Sequence, residues 1–174
     1  YCKMLNEAVK YLKGEMPEDV YTTTIDINID AYIPDSYIPN EYQKLDIYKR
    51  IAAIETEEER DDMLEELIDR FGEPPKKVQQ LLRIAQLKAM AHKGYVVSIE
   101  QKGERYIFTM YEKAKVNVAA IPTLLQKYKG DLTFKAEENP YFVYEKLKKG
   151  KKEKDEQIIE NVSAVIEDII SLAQ

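Results

Sequence analysis

Cys2 is the only cysteine and His92 the only histidine among the 174 residues, and these two counts decide much of the available chemistry. An intrachain disulfide cannot form, which fits a reducing cytoplasm. A zinc centre of Cys and His ligands is excluded within one chain, because too few ligands exist. A Ser-His-Asp relay would have to use His92. That residue stands beside Lys93 and Gly94 at the end of a predicted helix, a place for a capping or solvated imidazole. The six glycines, at positions 14, 72, 94, 103, 130 and 150, are isolated, whereas a phosphate cradle needs them clustered so that backbone N–H groups can approach the anion. Carboxylates are plentiful, but acids on a solvated helix face are no acid–base pair by themselves. These residues predict no catalysis, no metal and no bound cofactor.

Charge is where the chain is distinctive. The net charge is −6, unevenly spread. Residues 55–70 hold nine acids against Arg60 and Arg70, and residues 146–154 hold six lysines against Glu153. Asp62, Glu66 and Asp69 fall at i, i+4 and i+7 of one predicted helix, opposite its apolar stripe. Like charges so placed repel. They form either a solubilising face or a docking strip for arginines, whose planar fork matches a carboxylate. The lysine segment has two readings as well: a solvated connector, or a phosphate contact through Lys148, Lys149, Lys151 and Lys152. An acidic protein is a poor non-specific nucleic-acid binder, so any such contact must be local.

The elements that position these residues follow from periodicity. Tyr1–Leu12 reads as an amphipathic helix ended by Gly14 and Pro17, the close of a preceding domain and its linker over residues 1–20. With Tyr1 in place of an initiator Met, the expectation is a piece of a longer protein whose C-terminal domain spans 21–174. Thr24 to Ala31 alternates Ile25, Ile27 and Ile29 with Asp26, Asn28 and Asp30, the period of a half-buried strand. Three helices follow. The first buries Leu45, Tyr48, Ile51 and Ala52. The second opens on the capping box Thr56/Glu59, turns Met63, Leu64, Leu67, Ile68 and Phe71 inward, and stops at Gly72. The third starts at Pro74-Pro75 and carries Val78, Leu81, Leu82, Ala85 and Ala89 on one face, with Ile84, Leu87 and Ala91 as a second apolar edge. A hairpin at Lys102-Gly103, a helix near 122–128, and strands near 132–136 and 141–145 come next. A last helix, 155–173, carries Ile158, Val162, Val165, Ile169 and Leu172, a stripe too short to claim a coiled coil. The order predicts an α+β fold: a helical first half, a small antiparallel sheet and a C-terminal amphipathic helix. No run approaches the ~18 apolar residues of a membrane span, and the charged start does not resemble a signal peptide.

Two joined segments carry a resemblance. Tyr37-Ile38-Pro39 with Leu45-Asp46-Ile47-Tyr48-Lys49-Arg50-Ile51-Ala52 resembles the pattern [FY]-I-P…R/K-L-x-x-Y-K-R-I-A. Glu66-Leu67-Ile68-Asp69-Arg70-Phe71-Gly72, then Pro75 and Leu81-Leu82-Arg83-Ile84-Ala85, resembles E-L-x-D-R-F-G-x-x-P…L-L-x-I-A. Both are signatures of the C-terminal domain of bacterial transcription-repair coupling factors, the Mfd proteins, and the match covers roughly residues 25–92. The resemblance implies a non-enzymatic regulatory domain, since ATP hydrolysis, polymerase binding and DNA translocation belong to other domains of that family. It implies docking on an N-terminal module resembling the excinuclease subunit UvrB. Such docking would hide the surface that binds UvrA, restrain the motor, and touch RNA polymerase only indirectly. It favours Glu66 and Asp69, with Asp62, as the protein-binding residues. The alternative is a nucleic-acid-binding module using Lys146–Lys154.

Overall fold

The structure, a computed structural model, describes residues 21–173; the predicted helix over Tyr1–Leu12 lies outside them. The chain divides into two compact units, one holding Ile29–Ala89 and the residues up to Ile25, the other Asp26–Asn28 and the chain from Met90 onward.

The isoleucine alternation runs as expected but outlasts its strand. Ile25, Ile27, Ile29, Ala31 and Ile33 are all buried, whereas strand β1 is only Thr24–Asp26. The reason is that side chains, not a neighbouring strand, satisfy the backbone further on. The Tyr48 hydroxyl accepts from Ile33 N (2.8 Å), and Gln80 Nε2 donates to Asp30 O (2.6 Å). Buried backbone groups need a partner, but any partner serves.

Helices α1 (Glu41–Ala52), α2 (Glu57–Phe71) and α3 (Lys76–Lys93) follow. Asn40 caps α1 by accepting from Gln43 N (3.0 Å). The capping box on α2 forms in shifted shape: Thr56 Oγ1 accepts from Glu59 N (3.1 Å), while Glu59 reaches back to Glu55 N (3.3 Å). Gly72 ends α2 at φ +86°, a region costly for residues with a Cβ. Two expectations of burial need correction. Leu45 is 48% exposed and Ile68 39%, because each helix buries a stripe narrower than its apolar content. On α2 the stripe is Met63 and Leu67, with Leu64 and Phe71 half-buried. Ile68 lies roughly 100° round the helix from Leu67 and falls outside it. Ala52 and Ala89 are likewise only half-buried. Helix α3 is buried on several sides, including Leu81, Ile84, Leu87 and even Gln80 and Lys88.

The second unit combines a sheet with two helices. Strands β2 (Val96–Lys102), β3 (Arg105–Met110), β5 (Tyr141–Tyr144) and β4 (Leu132–Lys135) pair antiparallel in that order, with β1 at the edge beside β2. Gly103, at φ +64°, makes the predicted turn between β2 and β3. Register puts Ile99, Phe108, Phe142 and Phe134 in one row, and Tyr106 opposite Tyr144 in the next. A 3-10 turn (Val118–Ala120) leads into α4 (Ile121–Lys127). Helix α5 (Asp155–Ile170) buries Ile158, Ile159, Val162, Val165, Ile166 and Ile169, a face wider than a coiled-coil seam and fully used within the described residues. Asp168 on α5 accepts from Lys127 Nζ (3.0 Å) and from the Tyr128 hydroxyl, whose ionisation burial pushes up.

Candidate functional site

The acidic helix α2 is held by the residues just before and after it. Tyr37 lies in the loop leading to α1. Its hydroxyl donates to Gly72 O (2.7 Å), just past the helix end, and lies 3.2 Å from Leu67 O. Its ring packs on Phe71 with centroids 5.9 Å apart, and the Arg70 guanidinium lies 4.9 Å above the Phe71 ring. Phe71 thus joins a loop to a helix end in a half-buried setting, not the core lock its place in the sequence suggests.

Glu66 is the centre of this joint. Arg50 of α1 donates to both of its carboxylate oxygens, and Arg70 Nη1 lies 3.1 Å from Oε2. The Arg50 fork above all, with Arg70 beside it, holds the Glu66 carboxyl down at about 2 from its ordinary 4.5, against the opposing push of burial. The expectation of Glu66 as one of three equivalent acids facing solvent is therefore revised. It is two-thirds covered and shared between two arginines. Asp62 and Asp69 are exposed, and no ion pair or hydrogen bond among the described residues engages them. The helical wheel explains the difference. Glu66 is roughly 100° from Leu67, at the border of the buried stripe, while Asp62 and Asp69 are roughly 140–160° away. Exposed Ile68 and Glu65 complete the solvent face that those two aspartates share. Sequence reasoning missed Ile68 by assigning it to the core. It missed Arg50 because nothing local links that residue to Glu66, sixteen positions on.

The lysine segment is pinned rather than loose. Lys146 Nζ is 3.1 Å from Glu153 Oε2, which also accepts from Asn161 Nδ2 (2.9 Å). Lys149 Nζ bridges Glu104 (2.8 Å) and Glu145 (3.1 Å), which together raise its pKa. Lys148, Lys151 and Lys152 are exposed, and no carboxylate among the described residues pairs with them. His92 is in the last turn of α3, half-buried beside Lys93. Among the described residues no group of three or more His, Cys, Asp or Glu could hold a metal, and no helix is long and apolar enough to cross a membrane.

The model of the TRCF domain family matches residues 27–121. Over 119 residues, 68% of this chain, the sequence is 38% identical to a transcription-repair-coupling factor of Bacillus subtilis (strain 168). Over 116 residues, 66% of the chain, it is 39% identical to one of Staphylococcus haemolyticus. In both cases the chain spans 10% of the relative's length. A crystal structure of the C-terminal domain of transcription-repair coupling factor matches with a TM-score of 0.71 at 26% identity, covering 88% of this chain and 94% of that one.

Proposed function

Since the chain belongs to the TRCF domain family of transcription-repair coupling factors, we propose that it is a non-catalytic regulatory domain that docks on the N-terminal UvrB-like module of its parent protein. Docking masks the surface that would bind UvrA and restrains the DNA translocase. Binding of ATP and DNA belongs to other domains of the parent, contact with RNA polymerase is indirect, and the setting is the cytoplasm. The observation that carries this reading is the division of labour on α2. Glu66 is committed to Arg50 and Arg70, so the helix is anchored, while Asp62 and Asp69 lie side by side on the solvent face, next to an exposed Ile68, and have no partner among the described residues. Protein interfaces combine apolar and polar surface, and arginine is the partner that fits a pair of exposed carboxylates.

The experiment follows from that division. Asp62→Lys with Asp69→Lys reverses the rim without touching the anchor. In the full-length parent it should raise affinity for UvrA about tenfold or more and raise basal ATPase, since a rim loss of ~1.4 kcal/mol already shifts a binding equilibrium tenfold. Thermal unfolding of the 174-residue chain should hardly move, because exposed substitutions cost within about 0.5 kcal/mol. A folded double variant with unchanged UvrA affinity and ATPase would show that the face is merely solvated.

A further inference from the structure

Within the second unit, the turn between β2 and β3 and the segment entering α5 enclose a groove of about 440 Å3. Lys146, Lys148, Lys149, Lys151 and Lys152 line it, opposed by Glu104 and Glu153 alone among acids. Those two acids are already committed. Glu104 holds Lys149 and Glu153 holds Lys146, so the ion pairs fix the path of the segment and use up two of the five cations. Lys148, Lys151 and Lys152 remain, exposed and unmatched by any carboxylate among the described residues. At the floor lie Tyr106 and Tyr144, their rings 6.4 Å apart and almost wholly buried. Neither phenol hydroxyl bonds to a protein group among the described residues. Burial raises the pKa of both, so they stay protonated donors.

We propose that this groove binds the phosphodiester backbone of a nucleic-acid strand without reading its sequence. Three ammonium groups and two hydroxyl donors suit phosphate oxygens, which lysine meets as a point charge. The groove lining contains no arginine, so the contact is made by ammonium point charges rather than by a planar fork. The buried tyrosine rings offer no open face for base stacking, so the contact carries no base preference. The chain's net charge of −6 keeps the attraction local and makes it strongly sensitive to salt.

The test is fluorescence anisotropy of the 174-residue chain with labelled 15-mers of single-stranded DNA, single-stranded RNA and duplex DNA. Three phosphate contacts predict that affinity falls about 20-fold on single strands, or about 40-fold on duplex, between 50 and 200 mM salt. Whichever 15-mer binds best identifies the strand type. Lys148→Gln, Lys151→Gln and Lys152→Gln together should weaken binding at least tenfold at 50 mM salt and flatten the salt dependence. The charge-matched control Lys113→Gln, Lys115→Gln and Lys129→Gln should stay within twofold of the unaltered chain. All six lysines are exposed, so a circular dichroism melt can check that both variants fold. The proposal is overturned by absence of binding at 50 mM salt, by equal loss in both triple variants, or by polyglutamate competing as well as an oligonucleotide of equal charge. The last result would assign the groove to an acidic protein.

Discussion

Replacing Glu66 by Gln keeps the shape of the side chain and removes the charge that Arg50 and Arg70 share. The carboxyl titrates at about 2 in the folded chain against an ordinary 4.5. At ~1.4 kcal/mol per pH unit, that gap sets a ceiling of about 3 kcal/mol on its contribution. Glu66 is 33% exposed and Arg50 43%, so solvent screening removes much of it, and about 1–2 kcal/mol is the expected loss at pH 7. A further trace comes from leaving two guanidinium groups together without their anion. The sign of the pH effect is fixed by the direction of the shift. Between about 2 and 4.5 the unfolded chain binds the proton and the folded chain does not. The stabilisation is therefore fully present above about pH 5 and disappears as pH falls towards 2. Urea denaturation followed by circular dichroism measures it. Urea is the right denaturant because guanidinium chloride would screen the very pair under test. Other carboxylates titrate in both proteins and largely cancel in the difference. A loss below about 0.3 kcal/mol at pH 7, or a difference that is the same at pH 7 and pH 3, would refute the reasoning.

Two further substitutions probe the packing. Phe71→Ala should cost about 1–2 kcal/mol in urea denaturation, below the 3–5 typical of a fully buried aromatic, because the ring is half-buried against Tyr37 and Arg70; a loss above 3 kcal/mol would place it in the core after all. Gly94→Val should cost about 1–3 kcal/mol by overpacking, since even a Cβ there would lie 3.1 Å from Ile170 Cγ1 and 3.5 Å from Ile169 Cγ2; a neutral result in the same assay would mean that α5 can shift away.

What could be read from the sequence was whatever a local rule governs. The box at Thr56, the stop at Gly72, the turn at Gly103 and the stripe on α5 each depend on residues within one or two turns of one another, and each has its expected role. What could not be read depends on how wide a stripe the neighbours leave open. Ile68 and Leu45 have the right residue type for burial, but the helix positions beside them already fill the contact. The commitment of Glu66 was hidden for a similar reason. Its spacing from Asp62 and Asp69 made it look equivalent to them, and only the arrival of Arg50 from another helix separates one acid from the other two. The lysine segment looked like a connector because its anchors, Glu104 and Glu145, precede it in sequence by as much as 45 positions or sit at its margin.

The side-chain stitching of residues 29–33 has a consequence for the order in which the chain folds. A ladder between strands forms cooperatively, but here two separate closures are needed. The first, Ile33 to Tyr48, spans 15 positions, and the second, Asp30 to Gln80, spans 50. Loop-closure entropy alone makes the longer one about 1 kcal/mol more costly. Gln80 must also wait until α3 has been laid down. The segment should therefore close from Ile33 towards Asp30, the Tyr48 contact first. The amide of Ile33 should gain protection from hydrogen exchange in refolding before the contact between Asp30 and Gln80 closes.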